Sequence, residues 1–553
     1  MIERTSPLPV RRALPLRAES VGRAWFELGV CGCTAAVLAF LLVQLTAWPP
    51  HEDETLALFV GRQSFGGLLR TVLGERGGAP LHFVFAWLVA HTGGGLASLR
   101  LISALFAASS VPVMALLGRR LAGPAAALAG TALASASWVL LFHGIYGRMY
   151  SLFLFTSALS YLALLHAIDR GSRRAWILWG AAILVCVASH PYGALVLGSQ
   201  VVYVLLRRWH NREAIAAVAA VALLGIPFWR TDVVLAGRFD VGVGGGGAKL
   251  GTPGAVLDYL WNAAGDYSAG YRAALIPILL LALAGLVELV RTRFWSALLA
   301  AGVIATPAVA LMAARLGSAT SPESRHLIFA LPFFSLLVGA GLVRVAALVP
   351  RAGVAIAVAA VFAFAPAEIA WGWQKTPQLY AGEPTVRIDA RAQAAAWLAE
   401  TSRPDDVLFG YEPLYMQAWE RAGSRVSQLV VPRADSKLAF ETLLHARKPL
   451  GHGVWIFDAS DTTNWDRRLQ IRFELPDPAR LFEARAYGPF LVIRTREPTK
   501  TIRRYLKLAR RVEFVGVEQQ IGDGFTNIYT VADAARRLAF YERGRKSASD
   551  ASR

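Results

Sequence analysis

The stretch ELGVCGCTAAVLAFLLVQLTAWPPHEDET, residues 27–55, decides the fold of this chain. Its first part, 27–48, is almost wholly apolar and long enough to span a bilayer, which takes about 20 helical residues. Four ionisable residues follow where this segment would meet the interface: His51, Glu52, Asp53 and Glu54. A carboxylate pair at that position can act on a substrate that emerges from the membrane, and a solvated acidic loop is the alternative.

The composition indicates an integral membrane protein. Of the 553 residues 55% are hydrophobic, and the mean hydropathy is +0.43. The net charge of +19 does not indicate a nucleic-acid partner, because much of the arginine lies in short loops between apolar segments, where it sets membrane orientation. All the cysteines fall inside apolar segments, so no disulfide framework or thiolate metal site is expected: Cys31, Cys33 and Cys186.

Apolar segments recur along residues 27–371 and predict a mainly α, polytopic membrane domain of about 11 transmembrane helices. The predicted spans are residues 27–48, 98–117, 125–142, 151–167, 176–188, 193–206, 214–229, 273–290, 295–313, 327–345 and 352–371. Within the first outer loop, 49–97, the pattern predicts short interfacial helices. A second outer loop, 230–271, contains the run Gly244–Gly247 and is either a lid over bound substrate or a passive linker.

Alternate loops are rich in arginine, which predicts a cytoplasmic N-terminal segment, 1–26, and an extracytoplasmic tail, 372–553. In the tail, short apolar runs alternate with polar and charged stretches, which predicts a small soluble α/β domain. Its predicted strands are 406–410, 453–457 and 490–494, and its predicted helices are 390–400 and 503–511.

An ordered set of short motifs in residues 25–345 resembles the GT-C superfamily of membrane glycosyltransferases, in the glycosyltransferase family 39-like group of protein O-mannosyltransferases and lipid A aminoarabinose transferases. The matching pieces are Asp53-Glu54, the segment 78–83, Leu99-Arg100-Leu101, Gly118-Arg119-Arg120-Leu121, Gly147-Arg148-Met149-Tyr150, His190-Pro191-Tyr192 and Ser324-Arg325-His326-Leu327.

The resemblance implies transfer of a sugar from a polyprenyl-phosphate donor to an acceptor hydroxyl of a lipid, glycan or protein. It places the reaction on the extracytoplasmic face of a bacterial plasma (inner) membrane, with an acidic residue of the first outer loop as general base. We expect Asp53 in that role, with Glu54 orienting the acceptor or sharing the role. A carboxylate at a dry interface tends to have a raised pKa, which suits a base.

Positive charge is needed beside the departing lipid phosphate, and the expected ligands are Arg148, Arg325, His190 and His326. Interfacial arginines that only reach toward water are the alternative for each. The remaining substrate-binding residues are expected to be His51, His82, Tyr150 and Tyr192. No cofactor is expected to be required. A divalent cation on His51 and Glu54 is an open alternative, for which the sequence offers no third ligand.

Two other classes of function fit a polytopic chain. A transporter or lipid flippase would place polar residues within spans and break helices at symmetric positions, whereas the ionisable groups here gather at one interface. A non-catalytic scaffold that presents the tail is the other class.

Overall fold

The structure is a computed structural model. It describes residues 16–239, 252–270, 272–314, 324–349, 351–410, 412–422, 429–432, 443, 446, 448–458 and 478–516. The first half of the membrane domain contains α1 (Leu16–Val43), α2 (Glu52–Gly61), α3 (Phe65–Arg70), a π-helix (Thr71–Arg76), α4 (Pro80–His91), α5 (Leu96–Ala122), α6 (Pro124–Ala136), α7 (Trp138–Ile145), α8 (Tyr150–Arg170), α9 (Arg173–Ser189) and α10 (Gly193–Arg208). The second half contains α11 (Arg212–Leu224), α12 (Ile226–Phe239), α13 (Pro253–Asp266), α14 (Arg272–Thr292), α15 (Phe294–Ala314), a 3₁₀ helix (Ser324–Ala330), α16 (Leu331–Ala347) and α17 (Gly353–Lys375).

The apolar helices make the chain a multi-pass membrane protein. In the described part of the chain, six helices are long and apolar enough to cross a membrane, and two bent helix pairs bring the number to at most eight. Every segment predicted as a span coincides with a helix or a bent pair, but the predicted count of 11 is not confirmed. The difference arises partly because α9 and α10, with 17 and 16 residues, are shorter than a typical span.

Helix α16 lies at the centre of the bundle, and 89% of its apolar window is buried. Glycines allow close approach on two of its sides. A Cβ at Gly339 would collide with the backbone of Gly130 on α6, and a Cβ at Gly341 would collide with that of Leu281 on α14. Small residues of this kind let membrane helices pack backbone to backbone, since apolar side chains gain nothing by leaving lipid.

Two spans are broken. Helices α6 and α7 meet at an angle of 53°, and α11 and α12 meet at 52°. The second break follows from the sequence, because Pro227 has no N–H to continue the ladder from α11. At the first break, Ser137 is extended and ends α6. The breaks matter because α7 and α12 both lead into the site described below.

The prediction of a loop over 230–271 is wrong in part. Helix α12 extends to Phe239, and α13 occupies Pro253–Asp266, while the Gly244–Gly247 run lies outside the described residues. Local signals favour α13, since Thr252 caps it by accepting from the N–H of Ala255 and a proline occupies its first turn. The predicted short helices in 49–97 are confirmed as α2, α3, the π-helix and α4.

The C-terminal domain is α/β, as predicted. It contains α18 (Gln378–Ala381), α19 (Thr385–Thr401), β1 (Val407–Gly410), α20 (Glu412–Ala422), β2 (Leu429–Pro432), β3 (Gly453–Asp458), α21 (Pro478–Leu481), β4 (Phe482–Tyr487), β5 (Phe490–Thr495) and α22 (Ile502–Gly516). The five-stranded sheet has the order β2-β1-β3-β5-β4, with β2, β1 and β3 parallel and β5 and β4 antiparallel to their neighbours. The three predicted strands and two predicted helices are confirmed.

The C-terminal domain rests on α2. Met416 of α20 is buried among apolar residues of α2 and α4, and Phe59 of α2 packs against the core of the domain as well. Helix α2 is therefore held between the membrane helices and the domain, and its first turn carries the acidic residues singled out above.

Cysteine labelling tests the predicted orientation. In a chain whose native cysteines are replaced by alanine, Glu400→Cys should react with an impermeant maleimide in intact cells. Arg174→Cys should react only after permeabilisation, because it lies in a loop predicted to be cytoplasmic. Both positions are exposed. Labelling of both from outside would contradict the predicted topology.

Candidate active site

The first turn of α2 is fixed by a reciprocal cap. The backbone N–H of Asp53 donates to Nδ1 of His51 (3.2 Å), and the Glu54 carboxylate accepts from the N–H of His51 (3.1 Å). Such a box satisfies backbone donors that a helix start leaves unpaired, and the negative charges suit the positive end of the helix dipole. The sequence His51-Glu52-Asp53-Glu54 therefore begins a helix at a defined residue.

Glu54 also forms a fully buried ion pair with Arg100 of α5. The two guanidinium donors lie 2.8 Å from Oε1 and 2.7 Å from Oε2. Arg100 further donates to the carbonyls of Trp48 (2.7 Å) and Pro49 (3.1 Å), and Oε1 of Glu54 accepts from the N–H of Gly147 (2.7 Å). This network ties the end of the first apolar segment, α2, α5 and the turn after α7 together.

Asp53 points the other way and is partly exposed. Its Oδ2 lies 3.8 Å from a guanidinium nitrogen of Arg148 and 3.4 Å from the hydroxyl of Tyr146. Arg148 also donates to the backbone carbonyl of Asp53 (3.0 Å). The Tyr146 hydroxyl lies 3.0 Å from Nδ1 of His51. Asp53 is therefore a carboxylate with an accessible edge, framed by an arginine and a tyrosine.

Arginine side chains gather round this carboxylate. Arg148 is buried, and the Arg325 guanidinium lies over the Tyr150 ring, 5.2 Å from its centre. Arg76, at the end of the π-helix, is buried against the Phe83 ring at 4.5 Å. All three act electrostatically on Asp53. The predicted pair of arginines is brought together, and Arg76 adds a third positive charge.

The predicted histidines and tyrosines lie next to the arginines. Tyr150 is in ring contact with His190 and His326, both at 5.7 Å, and His326 is in contact with His190 (5.6 Å) and Tyr192 (5.4 Å). His82 is buried on α4, and Arg148 and Arg76 both act on it. All ten predicted site residues therefore belong to one continuous region.

His190 presents a hydrogen-bond donor to this region. Its Nδ1 accepts from the N–H of Tyr192 (3.0 Å), which leaves the proton of the neutral ring on Nε2. Nε2 is buried and has no hydrogen-bond partner among the residues that the structure describes. Burial, Arg148 and Arg325 lower the pKa of His190 to about 3, so the ring is neutral at ordinary pH. A ligand oxygen would satisfy this donor.

The expectation of a raised pKa at Asp53 is wrong. Burial raises the pKa of its carboxyl, but Arg148, His51, Arg325 and Arg76 outweigh burial and hold the pKa below its usual range. Asp53 is therefore ionised in the absence of substrate. Desolvation alone would raise the pKa of Asp53, whereas the arginines that lower it come from segments distant in the sequence.

Glu54 as a second catalytic residue stays a prediction. Its carboxylate is buried and accepts from Arg100, Gly147 and His51, so the geometry favours a positioning role. The same hydrogen bonds use both oxygens of the Glu54 carboxylate, which leaves them poorly placed to bind a metal ion. The described residues contain no group of three or more His, Cys, Asp or Glu side chains suited to a metal ion.

Three contributors were missed in the sequence analysis: Arg76, Tyr146 and the pairing role of Arg100. Arg76 directly precedes Gly77 and Gly78, which both have positive φ, and a Cβ at Gly77 would collide with the carbonyl of Thr231 on α12. The hydroxyl of Thr231 donates to the carbonyl of Gly78 (3.1 Å). The Gly-Gly pair was the available signal, since it marks a turn where backbones meet.

Breaking the ion pair should destabilise the fold. Arg100→Met leaves the Glu54 charge buried without its cation, which typically costs ~3–5 kcal/mol. Thermal unfolding of the purified protein would measure the loss. Arg120→Met, which removes the partner of the half-exposed Asp169, is the matched control and should cost ~1 kcal/mol or less. Equal stability of both variants would contradict the importance of the buried pair.

Comparison with known proteins gives no match by sequence: no family model matches the chain, and no curated protein matches it. Solved structures do match. ArnT from Cupriavidus metallidurans in the apo state has a TM-score of 0.54 at 16% identity, over 86% of this chain and 98% of that one. The same protein bound to undecaprenyl phosphate has a TM-score of 0.53 at 16% identity, over 85% and 98%.

A weaker likeness is to the archaeal oligosaccharyltransferase AglB from Archaeoglobus fulgidus, in complex with an inhibitory peptide and a dolichol-phosphate. Its TM-score is 0.48 at 13% identity, over 80% of this chain and 71% of that one. The likeness to ArnT extends over most of this chain and shows that the two proteins share a fold, which agrees with the family resemblance noted in the sequence.

Proposed function

We propose that this protein is a membrane glycosyltransferase that transfers a sugar from a polyprenyl-phosphate donor to an acceptor hydroxyl, with Asp53 as general base. The observation that carries the proposal is the convergence of one accessible carboxylate with Arg148, Arg325 and Arg76 at one end of a membrane bundle. The family resemblance of the sequence and the fold shared with ArnT are consistent with it, and ArnT has been solved with bound undecaprenyl phosphate.

The reaction needs a base and a supported leaving group. Asp53 takes the proton of the acceptor hydroxyl as its oxygen bonds to the anomeric carbon of the sugar. The bond from that carbon to the phosphate oxygen breaks, and its electron pair stays on the phosphate. Tyr146, within reach of Oδ2 of Asp53, orients the carboxylate.

The charges of the site suit a phosphate that gains charge. A sugar phosphodiester is singly charged, whereas a released phosphate monoester carries roughly −1.5 to −2 near neutral pH. Three arginines against the single carboxylate of Asp53 leave an excess of positive charge, which favours the released form. Because the arginines are already in place, they stabilise charge that develops in the transition state.

Donor binding also changes the base. Arg148, Arg325 and Arg76 depress the pKa of Asp53 in the free protein, and a bound phosphate would offset part of their charge. The pKa of Asp53 would then rise toward the range where a carboxylate accepts protons more effectively. The buried Nε2–H of His190 is placed to donate to a sugar hydroxyl or to the phosphate.

The broken helices also fit a transporter or lipid flippase, which is the second candidate. Here, however, α7 leads to Tyr146 and Arg148, and α12 docks on the turn beside Arg76 through Thr231. Both helix breaks therefore help to position the arginines around Asp53, at one end of the bundle. We favour a sugar transferase because a flippase does not need an accessible carboxylate beside the arginines that would bind a phosphate. The acceptor is a lipid, glycan or protein on the extracytoplasmic face in this proposal.

Asp53→Asn keeps the side-chain shape and removes its basicity. Sugar transfer from a radiolabelled polyprenyl-phosphate donor in membranes should fall by ~10²–10⁴-fold. Binding of polyprenyl phosphate to the purified variant should persist, because the substitution does not remove a phosphate ligand. Transfer within a few-fold of wild type would remove Asp53 from the role of base.

The arginines should show the opposite pattern. Arg148→Ala or Arg325→Ala should weaken polyprenyl phosphate binding and reduce turnover, because each removes a charge-assisted contact worth about 1.5–3 kcal/mol. Lysine at either position should rescue only partly, since a point charge does not reproduce the planar fork of arginine. Unchanged affinity in both alanine variants would move the donor site elsewhere.

The acid limb of the pH profile of kcat/KM tests the electrostatics of the free protein. Because Asp53 has a lowered pKa, the wild type should show no loss from its protonation at the lowest pH at which it stays folded. Arg148→Ala removes the largest pKa-lowering charge, so an acid limb should move upward into the accessible range. Arg76→Ala should shift it less, since Arg76 is the weakest of the four charges. An unshifted profile in Arg148→Ala would contradict this.

A further inference from the structure

Two acidic residues are buried away from Asp53, and an exposed lysine lies beside one of them. Asp266 ends α13, and Glu368 and the exposed Lys375 belong to α17. Glu368 is fully buried although α17 is otherwise an apolar, span-length helix. Ionisable groups within membrane helices are costly and usually serve a function. The contacts of this group show which segments it controls.

Asp266 accepts a hydrogen bond from Ser324, the residue that precedes Arg325. One of its oxygens, Oδ1, pairs with Nζ of Lys375 (2.6 Å), and Oδ2 accepts from the hydroxyl of Ser324 (2.7 Å). The neighbouring Tyr267 donates to the carbonyl of Ser324 (3.1 Å). Ser324 is thus held through its side chain and its backbone. Since Arg325 follows directly at the start of the 3₁₀ helix, these bonds fix the backbone from which its guanidinium reaches the site.

Glu368 joins two other segments. Its Oε2 accepts from the N–H of Trp138 (3.0 Å), the first residue of α7, and Oε1 accepts from the N–H of Ala269 (2.5 Å). A carboxylate at the start of α7 supplies a cap that Ser137 does not provide. Helix α7 leads directly to Tyr146 and Arg148, so the cap also sets the position of the first arginine.

The turn after α13 is shaped by α17. Ala269 and Gly270 both have positive φ, at 60° and 68°, which is costly for alanine. A Cβ at Gly270 would overlap the ring of Trp371 on α17. The N–H of Ala269 donating to Glu368 holds the turn from the same helix. Contacts with α17 therefore hold this turn in a defined conformation, which places Asp266 beside Ser324 and Lys375.

We propose that Asp266 and Glu368 are positioning residues for the donor phosphate. Asp266 acts through Ser324 on Arg325, and Glu368 acts through the start of α7 on Arg148. This inference rests on the proposed function, in which those arginines hold the phosphate. In this proposal neither acid touches the substrate. Helix α17, which leads into the C-terminal domain, carries Glu368 and the Lys375 partner of Asp266.

Ser324→Ala is the sharpest test, because it removes one hydrogen bond and leaves the pair of Asp266 and Lys375 intact. The affinity of the purified full-length protein for polyprenyl phosphate should fall by about threefold to tenfold, as expected for one such bond acting indirectly. The KM for the donor should rise similarly and kcat should fall with it, because Arg325 also supports the departing phosphate, whereas the acceptor KM should change much less. Ser324→Thr keeps the hydroxyl and should restore binding.

Asp266→Asn and Glu368→Gln should lower donor affinity in the same way, and Asp169→Asn, at the unrelated pair with Arg120, should not. If Ser324→Ala and Ser324→Thr bind as wild type while Arg325→Ala has lost binding, the positioning proposal is wrong and the proposed function stands. Equal losses in Ser324→Ala and Ser324→Thr would also overturn it. Wild-type binding in Arg325→Ala would overturn the donor site itself.

Discussion

The buried ion pair of Glu54 and Arg100 is the interaction on which the site depends. Arg100 binds both oxygens of Glu54 and the carbonyls that end the first apolar segment, and Glu54 also accepts from Gly147. A buried pair contributes to stability only when its remaining hydrogen bonds are satisfied, and here the carboxylate is fully used. The pair fixes the first turn of α2 against the turn after α7, and Asp53 meets Arg148 as a result.

The sequence predicted much of the fold because its signals are local. Each apolar run predicted as a span coincides with a described helix or a bent helix pair, and short apolar runs in the tail predicted strands at 406–410, 453–457 and 490–494 that the sheet confirms. The loop prediction for 230–271 failed because the glycine-rich run drew attention away from the helical segments on either side of it. These are the end of α12 and the whole of α13, which Thr252 caps. Hydropathy alone does not give the number of spans, because an apolar run does not show whether it forms a full span, a bent pair of helices or a helix too short to cross the membrane.

The sequence predicted which residues the structure brings together, whereas their contacts were much less predictable. Asp53 and Glu54 are adjacent and chemically similar, and only the structure shows that Glu54 pairs with Arg100, 46 residues away. The direction of the Asp53 pKa depends on arginines from three other segments, so no local rule gives it. Glu368 within an apolar span was a signal available in the sequence, and its carboxylate joins the start of α7 to the turn after α13.

Together these features describe a site assembled at helix ends. The first turn of α2 supplies the carboxylate, the turn after α7 and the start of the 3₁₀ helix supply two arginines, and the π-helix supplies the third. Each is anchored by a buried acid or a tight glycine contact, so the positive charges are fixed in the absence of a ligand. Preorganised charge of this kind suits the proposed transfer from a phosphate.

A structure of the protein with a bound polyprenyl phosphate would test the central claim most directly. The account predicts phosphate oxygens about 2.7–2.9 Å from the guanidinium nitrogens of Arg148 and Arg325, with Asp53 facing the space beside the phosphate. A phosphate bound instead at the opposite end of the bundle, among arginines such as Arg119 and Arg120, would contradict it.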